Sequence, residues 1–201
     1  MSVADQILYE DNHLIVLNKL PGQIVQGDKS GDVCLAEEVK AFIKLRDNKP
    51  GNVFCGVVHR LDRPVSGVVI FAKTSKALSR MNELVKNRSF EKVYHAVVKD
   101  MPPQTEGHLE DYLVRNEKQN KSFITKDGTL AGAKLAVLDY RLLATSVGGY
   151  HLLEVQLHTG RHHQIRCQLA HIGCPIKGDL KYGARRSNPD GGISLHARSI
   201  E

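Results

Sequence analysis

The chain has 201 residues, of which 41% are hydrophobic and 25% charged, with a formal net charge of +6 and an isoelectric point near 9.1. This length suits one large domain or two closely joined halves and can bury a substantial core, and the composition is ordinary for a soluble globular protein. No apolar run reaches the length of a membrane span, no signal peptide is seen and the cysteines lack CxxC spacing, so we expect a cytoplasmic protein with free thiols.

In its first half the sequence predicts a hairpin, two helices and two further strands. In chain order these are a strand, an Asp-Asn turn and a strand in "ILYEDNHLIVLNK", a helix in "DVCLAEEVKAFIKLR", strands in "VFCGVVH" and "VVIFAK", and a helix in "TSKALSRMNELVKN". Leu35, Val39 and Phe42 recur at helical spacing in the first helix. Thr74 or Ser75 supplies the side chain that caps the second.

The second half is predicted to be rich in strands and to contain one helix. Its strands lie in "SFEKVYHAVVKD", near "HLEDYLV", "KSFIT" and "GAKLAVLDYRLLA", in "YHLLEVQLH" and in "ISLHARS". Alternation in the first of them places Tyr94, Ala96 and Val98 on one face. The stretch "TGRHHQIRCQLAHIG" predicts a helix that ends at Gly173. Many strands and few helices indicate an α+β fold on a mixed or mainly antiparallel sheet.

Positive charge is concentrated in two segments of the chain. Residues 59–92 hold 8 Lys/Arg against 3 Asp/Glu, and residues 158–186 hold 6 against 1. This distribution fits a surface that binds nucleic acid, and it fits equally two solvated faces that happen to be basic. Charge alone does not choose between them.

Asp62 is the first candidate for chemistry, because it lies between Arg60 and Arg63 in "HRLDRPVSG", at the turn after a predicted strand. Adjacent guanidinium groups lower the pKa of a carboxyl by roughly 1–3 units, which favours a nucleophile or electrostatic stabiliser over a general acid. The alternative is a loop aspartate that forms a salt bridge with Arg60 or Arg63. The motif by itself favours this alternative.

A second candidate is "TGRHHQIR", in which a Thr-Gly turn opens a predicted helix carrying Arg161, His162, His163 and Arg166. At this spacing His162 and Arg166 would share a helix face. Backbone N–H groups at a helix start, with arginines beside them, suit a phosphate or a carboxylate, whereas an exposed basic helix start is the plainer alternative. The histidines and cysteines here lack the spacing of known metal sites.

Other motifs carry less information by themselves. Tyr94 alone is more typical of strand packing than of a platform on which a base stacks. The segment "KGDLKYG", residues 177–183, is by itself a polar turn. The absence of a P-loop, GxGxxG or GxSxG from the sequence argues against nucleotide hydrolysis, Rossmann cofactors and α/β-hydrolase chemistry.

Taken together and in this order, the motifs resemble the RluA-type family of RNA pseudouridine synthases. "HRLDRPVSGVVIFAKTSKAL" is similar to the family's active-site signature, "FEKVYHAVV" to its K-x-Y-x-A-x-V strand, and "LHTGRHHQIRCQLAHIGCPIKGDLKYG" to its TGR-x-HQIR segment with the GD-x-x-YG that follows. The opening "ILYEDNHLIVLNKLPGQIV" also resembles the family's first hairpin. The resemblance covers nearly the whole chain.

The resemblance implies the α+β catalytic domain of pseudouridine synthases, with a mixed, mainly antiparallel sheet in two halves and a central active-site cleft. It implies that specific uridines in ribosomal or transfer RNA are isomerised to pseudouridine, with no metal and no organic cofactor. RNA is then the partner, and we expect a monomer that does not associate with membranes.

The resemblance also implies a role for each matching residue. Asp62 matches the catalytic aspartate that acts at C1′ of the flipped nucleotide, and Arg166 matches the basic residue paired with it. Tyr94 matches the tyrosine that stacks on the uracil and is a candidate base at C5. Arg60 matches the arginine associated with the space that the nucleotide vacates. The predicted substrate-binding residues are Arg60, Arg161 and His162.

The chain departs from the family pattern in three places. Val65 stands where many members have Thr, and we expect only a packing change there. Residues 1–201 leave no room for the N-terminal S4 RNA-binding domain of many relatives, so we expect a single catalytic domain whose own basic segments contact RNA. The chain stops soon after "LHARS", where relatives usually continue, so either that tail is absent or the sequence is cut.

Two other functions stay open at this point. A non-catalytic RNA-binding protein on the same fold would form no product. A nucleoside hydrolase that uses Asp62 would release free uracil, although glycoside chemistry normally needs a second carboxylate across the bond and the motifs supply none.

Overall fold

A computed structural model describes residues 2–28 and 31–201. The chain forms two compact units, Met1–Phe90 and Glu91–Glu201. Among the residues described, the strand pairs within each unit are antiparallel. No helix in the described part of the chain is long and apolar enough to cross a membrane.

The first unit combines helices with short strands. In chain order they are α1 (Val3–Gln6), β1 (Ile7–Glu10), β2 (Leu14–Lys19), α2 (Leu35–Arg46), β3 (Gly56–Val57), β4 (Ser66–Ala72) and α3 (Ser75–Lys86). β2 pairs with β1 and with β4, and β3 pairs with the end of β4. The predicted hairpin, both predicted helices and β4 are confirmed, whereas the strand predicted in "VFCGVVH" is reduced to the two residues of β3.

The apolar face of α2 closes the core of the first unit. Leu35, Val39 and Ile43 are almost wholly inaccessible and belong to the same buried cluster as Phe71 of β4. Phe42, which the helical spacing also assigned to this face, is only partly buried. This packing fixes β4, the strand that follows directly from the "HRLDRPVSG" turn.

Thr74 caps α3, since its hydroxyl oxygen accepts a hydrogen bond from the Ala77 backbone N–H at 3.1 Å. We expect Thr74→Ala to lower the free energy of unfolding by about 1 kcal/mol, because that N–H loses its partner at the helix start. Urea denaturation measures the change. Ser75→Ala is the matched control, since Ser75 lies inside the helix as its first residue, and an equal loss in both variants would contradict the cap.

The second unit holds the longer strands and one helix. In chain order its elements are β5 (Lys92–Val98), β6 (Glu106–Asn116), β7 (Lys121–Thr125), β8 (Lys134–Thr145), β9 (His151–Leu157), α4 (Gln164–His171), the 3₁₀ turn Leu180–Tyr182 and β10 (Leu195–Ile200). The strands are ordered β10-β5-β9-β8-β6-β7. These elements confirm the predicted α+β class with a mainly antiparallel sheet, and each strand predicted in this half.

The side chains of β5 alternate in burial, as predicted. Tyr94, Ala96 and Val98 are buried, whereas the residues between them are only partly buried. Tyr94 pairs with Val155 of β9 on one side and with Ala197 of β10 on the other. Its backbone is therefore fixed between two neighbouring strands.

The helix predicted in "TGRHHQIRCQLAHIG" begins later than its apolar pattern indicated. α4 starts at Gln164, directly after His163, whose φ of 53° lies in the left-handed region. A left-handed residue cannot continue a right-handed helix, so Arg161, His162 and His163 lie in the turn before α4. The prediction that His162 and Arg166 share a helix face is therefore wrong.

Candidate active site

The turn between β3 and β4 carries Asp62. The Val65 N–H donates to the Asp62 backbone carbonyl at 3.0 Å, which closes a tight turn. At the base of the turn, the Ile70 N–H of β4 donates to the His59 ring, at 3.3 Å, and not to a backbone carbonyl. This side-chain contact lies just beyond the C-terminal end of β3, where its pairing with β4 stops.

Lys19, the last residue of β2, holds this turn from inside. Its side chain is fully buried, and its ammonium group donates to the carbonyls of Leu20, Arg63 and Val65 at 3.0, 3.1 and 2.6 Å. Burial lowers the pKa of Lys19 to about 8, and the negative charge of Asp62 partly offsets that shift. Three donors on three carbonyls fix the backbone beside Asp62. The Val65 side chain is itself buried, in agreement with a packing role.

The two arginines that flank Asp62 engage other side chains. Arg63 forms an ion pair with Asp32 at 2.8 Å, and Arg60 donates to the Gln26 side-chain oxygen at 3.1 Å. Both guanidinium groups are exposed. Each of the two arginines therefore has a partner other than Asp62 in the described structure.

In the second unit, Arg166 lies on α4 and is only 5% exposed. The Asp179 carboxylate, in a residue 1% exposed, accepts from its Nε and Nη2 atoms at 2.6 and 2.9 Å. The centre of the Tyr182 ring lies 5.1 Å from the guanidinium carbon. A carboxylate at its edge and an aromatic ring nearby therefore hold Arg166.

Hydrogen bonds connect Tyr182, the ring beside this arginine, to β7. The Tyr182 Oη accepts from the Ser122 N–H at 2.8 Å and hydrogen-bonds to His163 Nδ1 at 3.0 Å. Burial, followed by the nearby Arg166 cation, lowers the pKa of His163 to about 2, and burial raises the pKa of Tyr182. Both rings are therefore neutral near pH 7 and serve as fixed hydrogen-bond partners.

Arg161 and His162, which were predicted to bind substrate, form the turn before α4. The Arg161 Nε donates to the Leu135 carbonyl at 2.7 Å. The His162 ring stacks on His163 with 3.8 Å between centroids, and it hydrogen-bonds to the Ser122 hydroxyl at 2.9 Å. Both side chains are partly exposed, and their contact with substrate stays a prediction.

The predicted site residues are divided between the units. Asp62 and Arg60 lie in the first, and Tyr94, Arg161, His162 and Arg166 in the second. Over residues 2–28 and 31–201, no group of three or more His, Cys, Asp or Glu side chains is arranged to hold a metal ion. The cysteines are free, as predicted, and all are buried: Cys34, Cys55, Cys167 and Cys174.

The sequence predicted no role for three residues that hold the candidate site: Lys19, Asp179 and Tyr182. Lys19 gave no signal, because a lysine at the end of a strand is normally exposed. Asp179 and Tyr182 stood in "KGDLKYG", whose similarity to the family's GD-x-x-YG was visible. No periodicity, however, links that segment to Arg166.

Known proteins resemble this chain over most of its length. A family model for RNA pseudouridylate synthase matches residues 13–171. An uncharacterized RNA pseudouridine synthase of Chloroflexus aurantiacus is 41% identical over 139 residues, which cover 69% of this chain and 42% of the relative. The tRNA pseudouridine synthase C of Vibrio cholerae is 33% identical over 190 residues, which cover 89% of this chain and 74% of the relative.

A solved structure agrees with the sequence relatives. Human RNA pseudouridylate synthase domain containing 4 has a TM-score of 0.83 and 26% identity, covering 98% of this chain and 84% of that one. The chain spans only about half the length of the first curated relatives, 42% and 55% for two of them. The family match nevertheless contains Asp62, Tyr94 and Arg166. The chain therefore belongs to the RNA pseudouridylate synthase family, as its RluA-type motifs predicted.

Proposed function

We propose that this protein isomerises specific uridines in structured RNA to pseudouridine. The observation that carries the proposal is the family match over residues 13–171, which contains Asp62, Tyr94 and Arg166. The anchored turn around Asp62 supports it, since a carboxylate that acts at one sugar carbon needs a fixed backbone. The net charge of +6 suits an RNA partner.

The reaction breaks the N1–C1′ bond of uridine, rotates the base and joins C5 to C1′. In this proposal the ionised Asp62 acts at C1′, by covalent attack or as the base in an elimination route. Arg166 pairs with Asp62 and stabilises its negative charge. Tyr94 stacks on the detached uracil and helps to remove the C5 proton.

Basic side chains bind the RNA in this proposal. Taking a nucleotide out of its stack costs a few kcal/mol, and Arg60 offsets part of that cost by filling the vacated space and binding phosphate. Arg161 and His162 contact the nucleotide from the turn before α4. Ribosomal or transfer RNA is the proposed substrate class, in keeping with a relative named tRNA pseudouridine synthase C.

Tritium release tests the proposal. RNA labelled at uridine C5 loses its tritium to water when C5 bonds to C1′, so the protein is expected to release label from folded ribosomal or transfer RNA transcripts in proportion to the pseudouridine formed. Free uracil without pseudouridine would identify a nucleoside hydrolase. RNA binding without either product would identify a non-catalytic binder, and either outcome would overturn the proposal.

The modified position is a separate measurement. Pseudouridines are mapped in total RNA from cells with and without this protein. The site that disappears when the protein is absent, and that purified protein restores, is its substrate.

A further inference from the structure

We propose that Asp179 is a positioning residue, which fixes the Arg166 guanidinium in the plane and direction that the catalytic aspartate requires. The inference rests on the proposed function, in which Arg166 pairs with Asp62. It gives a role to a residue outside the predicted site.

Asp179 contacts the side-on edge of Arg166, which Nε and Nη2 form. The two N–O distances are 2.6 and 2.9 Å, and both side chains are almost wholly buried. Two parallel hydrogen bonds define the plane of a guanidinium as well as its position, which a single contact does not do. The guanidinium N–H groups that are directed away from Asp179 thereby have a set direction.

Tyr182 supplies a second constraint on the same group. Its ring lies 5.1 Å from the Arg166 guanidinium carbon, within the range of a cation–π contact. The ring is fixed in turn, because its hydroxyl accepts from the Ser122 N–H of β7 at 2.8 Å. Arg166 therefore contacts two side chains of one turn, Asp179 and Tyr182, which bound its movement from different directions.

The backbone around Asp179 is itself constrained. The Asp179 carbonyl accepts from the Tyr182 N–H at 3.1 Å. Gly178 and Gly183 enclose this turn with φ angles of 90° and 106°, a conformation that favours glycine. A Cβ on Gly178 would lie 2.9 Å from the Gly192 carbonyl oxygen. The Asp179 carboxylate is therefore directed by a fixed turn.

Stability alone is a weak reason for such a buried pair. Removing two charges from water is costly, and well-packed apolar residues in their place are often equally stable. A fixed cation is useful in catalysis, however, because a preoriented charge needs no rearrangement when the reaction begins. The arrangement of Asp179 and Arg166 fits this second use.

Asp179→Asn tests the inference, because the amide keeps the size of the side chain but cannot accept from both Nε and Nη2. We expect kcat to fall about 10–100-fold with KM within about 3-fold of wild type, since a misaligned catalytic group lowers rate more than binding. Leu180→Ala is the matched control, because Leu180 is exposed on the same turn, and it is expected to leave kcat unchanged. All assays are run below the melting temperature of each variant.

Combination with Arg166→Lys separates positioning from a merely structural role. If Asp179 acts through the guanidinium, Asp179→Asn changes kcat by less than about 3-fold once Arg166→Lys has removed that group. Two results would overturn the inference although the unmodified protein forms pseudouridine. One is a loss of kcat in the double variant that equals the product of the two single losses, and the other is a wild-type kcat in Asp179→Asn. A wild-type protein that forms no pseudouridine overturns the proposed function, and the inference with it.

A second variant keeps the test decisive if Asp179→Asn does not fold. Tyr182→Phe keeps the ring and removes the hydroxyl that Ser122 holds. We expect a fall in kcat of about 3–10-fold that disappears in the Arg166→Lys background. An undiminished kcat, or the same fall in that background, would contradict the positioning role.

Discussion

Replacing Asp62 with asparagine is expected to abolish pseudouridine formation and to leave RNA binding intact. The amide has nearly the size of the carboxylate but is neither a nucleophile nor a base, so no group acts at C1′. Loss of such a side chain lowers kcat by about 10⁴-fold or more. The turn should keep its shape, because Val65 donates to the Asp62 backbone carbonyl and Lys19 binds other carbonyls.

Tritium release under single-turnover conditions measures the loss, and fluorescence anisotropy measures RNA affinity. The dissociation constant is expected to stay within about 3-fold, since in the proposed function basic groups and not Asp62 contact the RNA backbone. Asp47→Asn is the matched control, because Asp47 is a carboxylate of the first unit that pairs with Arg46 on the surface. Product formed by Asp62→Asn at more than about a tenth of the wild-type rate would show that another group acts at C1′.

The elements that could be predicted from the sequence are those whose side chains alternate between core and solvent. Burial sets the alternation of side chains along β5, where Tyr94 and Ala96 face the core. Burial also sets the apolar face of α2. The predicted element ends are wrong where a single local feature determines the backbone conformation. His163 adopts a left-handed conformation before α4, and the His59 ring takes the Ile70 N–H that a longer strand would use. No periodicity records either feature.

The candidate site could be proposed from the sequence to a similar extent, and its residue roles stay predictions. Its reactive residue types stand in motifs that the family resemblance identified, and the family match contains Asp62, Tyr94 and Arg166. The residues that hold them were not predictable, because their importance lies in where the fold directs them. Lys19 is separated by more than forty residues from the carbonyls of the turn that it binds. Asp179 becomes informative only through its two contacts with Arg166.

Lys19→Met is expected to weaken the turn that carries Asp62 and to lower kcat about 10–100-fold, because displacement of the proposed catalytic aspartate lowers the rate steeply. Methionine fills a similar volume but donates no hydrogen bond, so the carbonyls of Leu20, Arg63 and Val65 lose a shared partner. Each buried acceptor left without a donor costs about 1–3 kcal/mol, and the removal of a buried charge offsets part of the total. We expect urea denaturation to show a net loss of about 1–3 kcal/mol in the free energy of unfolding.

The same lysine predicts how stability and activity depend on pH. Burial lowers the pKa of Lys19 to about 8 in the folded protein, from the 10.5 that applies to the unfolded chain. Between these values the unfolded chain binds more protons, so the stability of wild type relative to Lys19→Met rises with pH. In contrast, kcat is expected to fall as the pH rises, because a neutral amine has only two N–H donors for three carbonyls. The turn therefore loosens as the pH rises through about 8.

Profiles of kcat against pH for both proteins test this prediction. Wild-type kcat is expected to fall above a pH of about 8, whereas the lower kcat of Lys19→Met lacks this fall. Lys92→Met is the matched control, since burial also lowers the pKa of Lys92, on β5 of the second unit, and this variant should retain the wild-type profile. A fall in kcat that persists in Lys19→Met would show that a different group causes it. A stability difference between wild type and Lys19→Met that stays constant across this range would show that Lys19 keeps its proton, and that its three hydrogen bonds outweigh its burial.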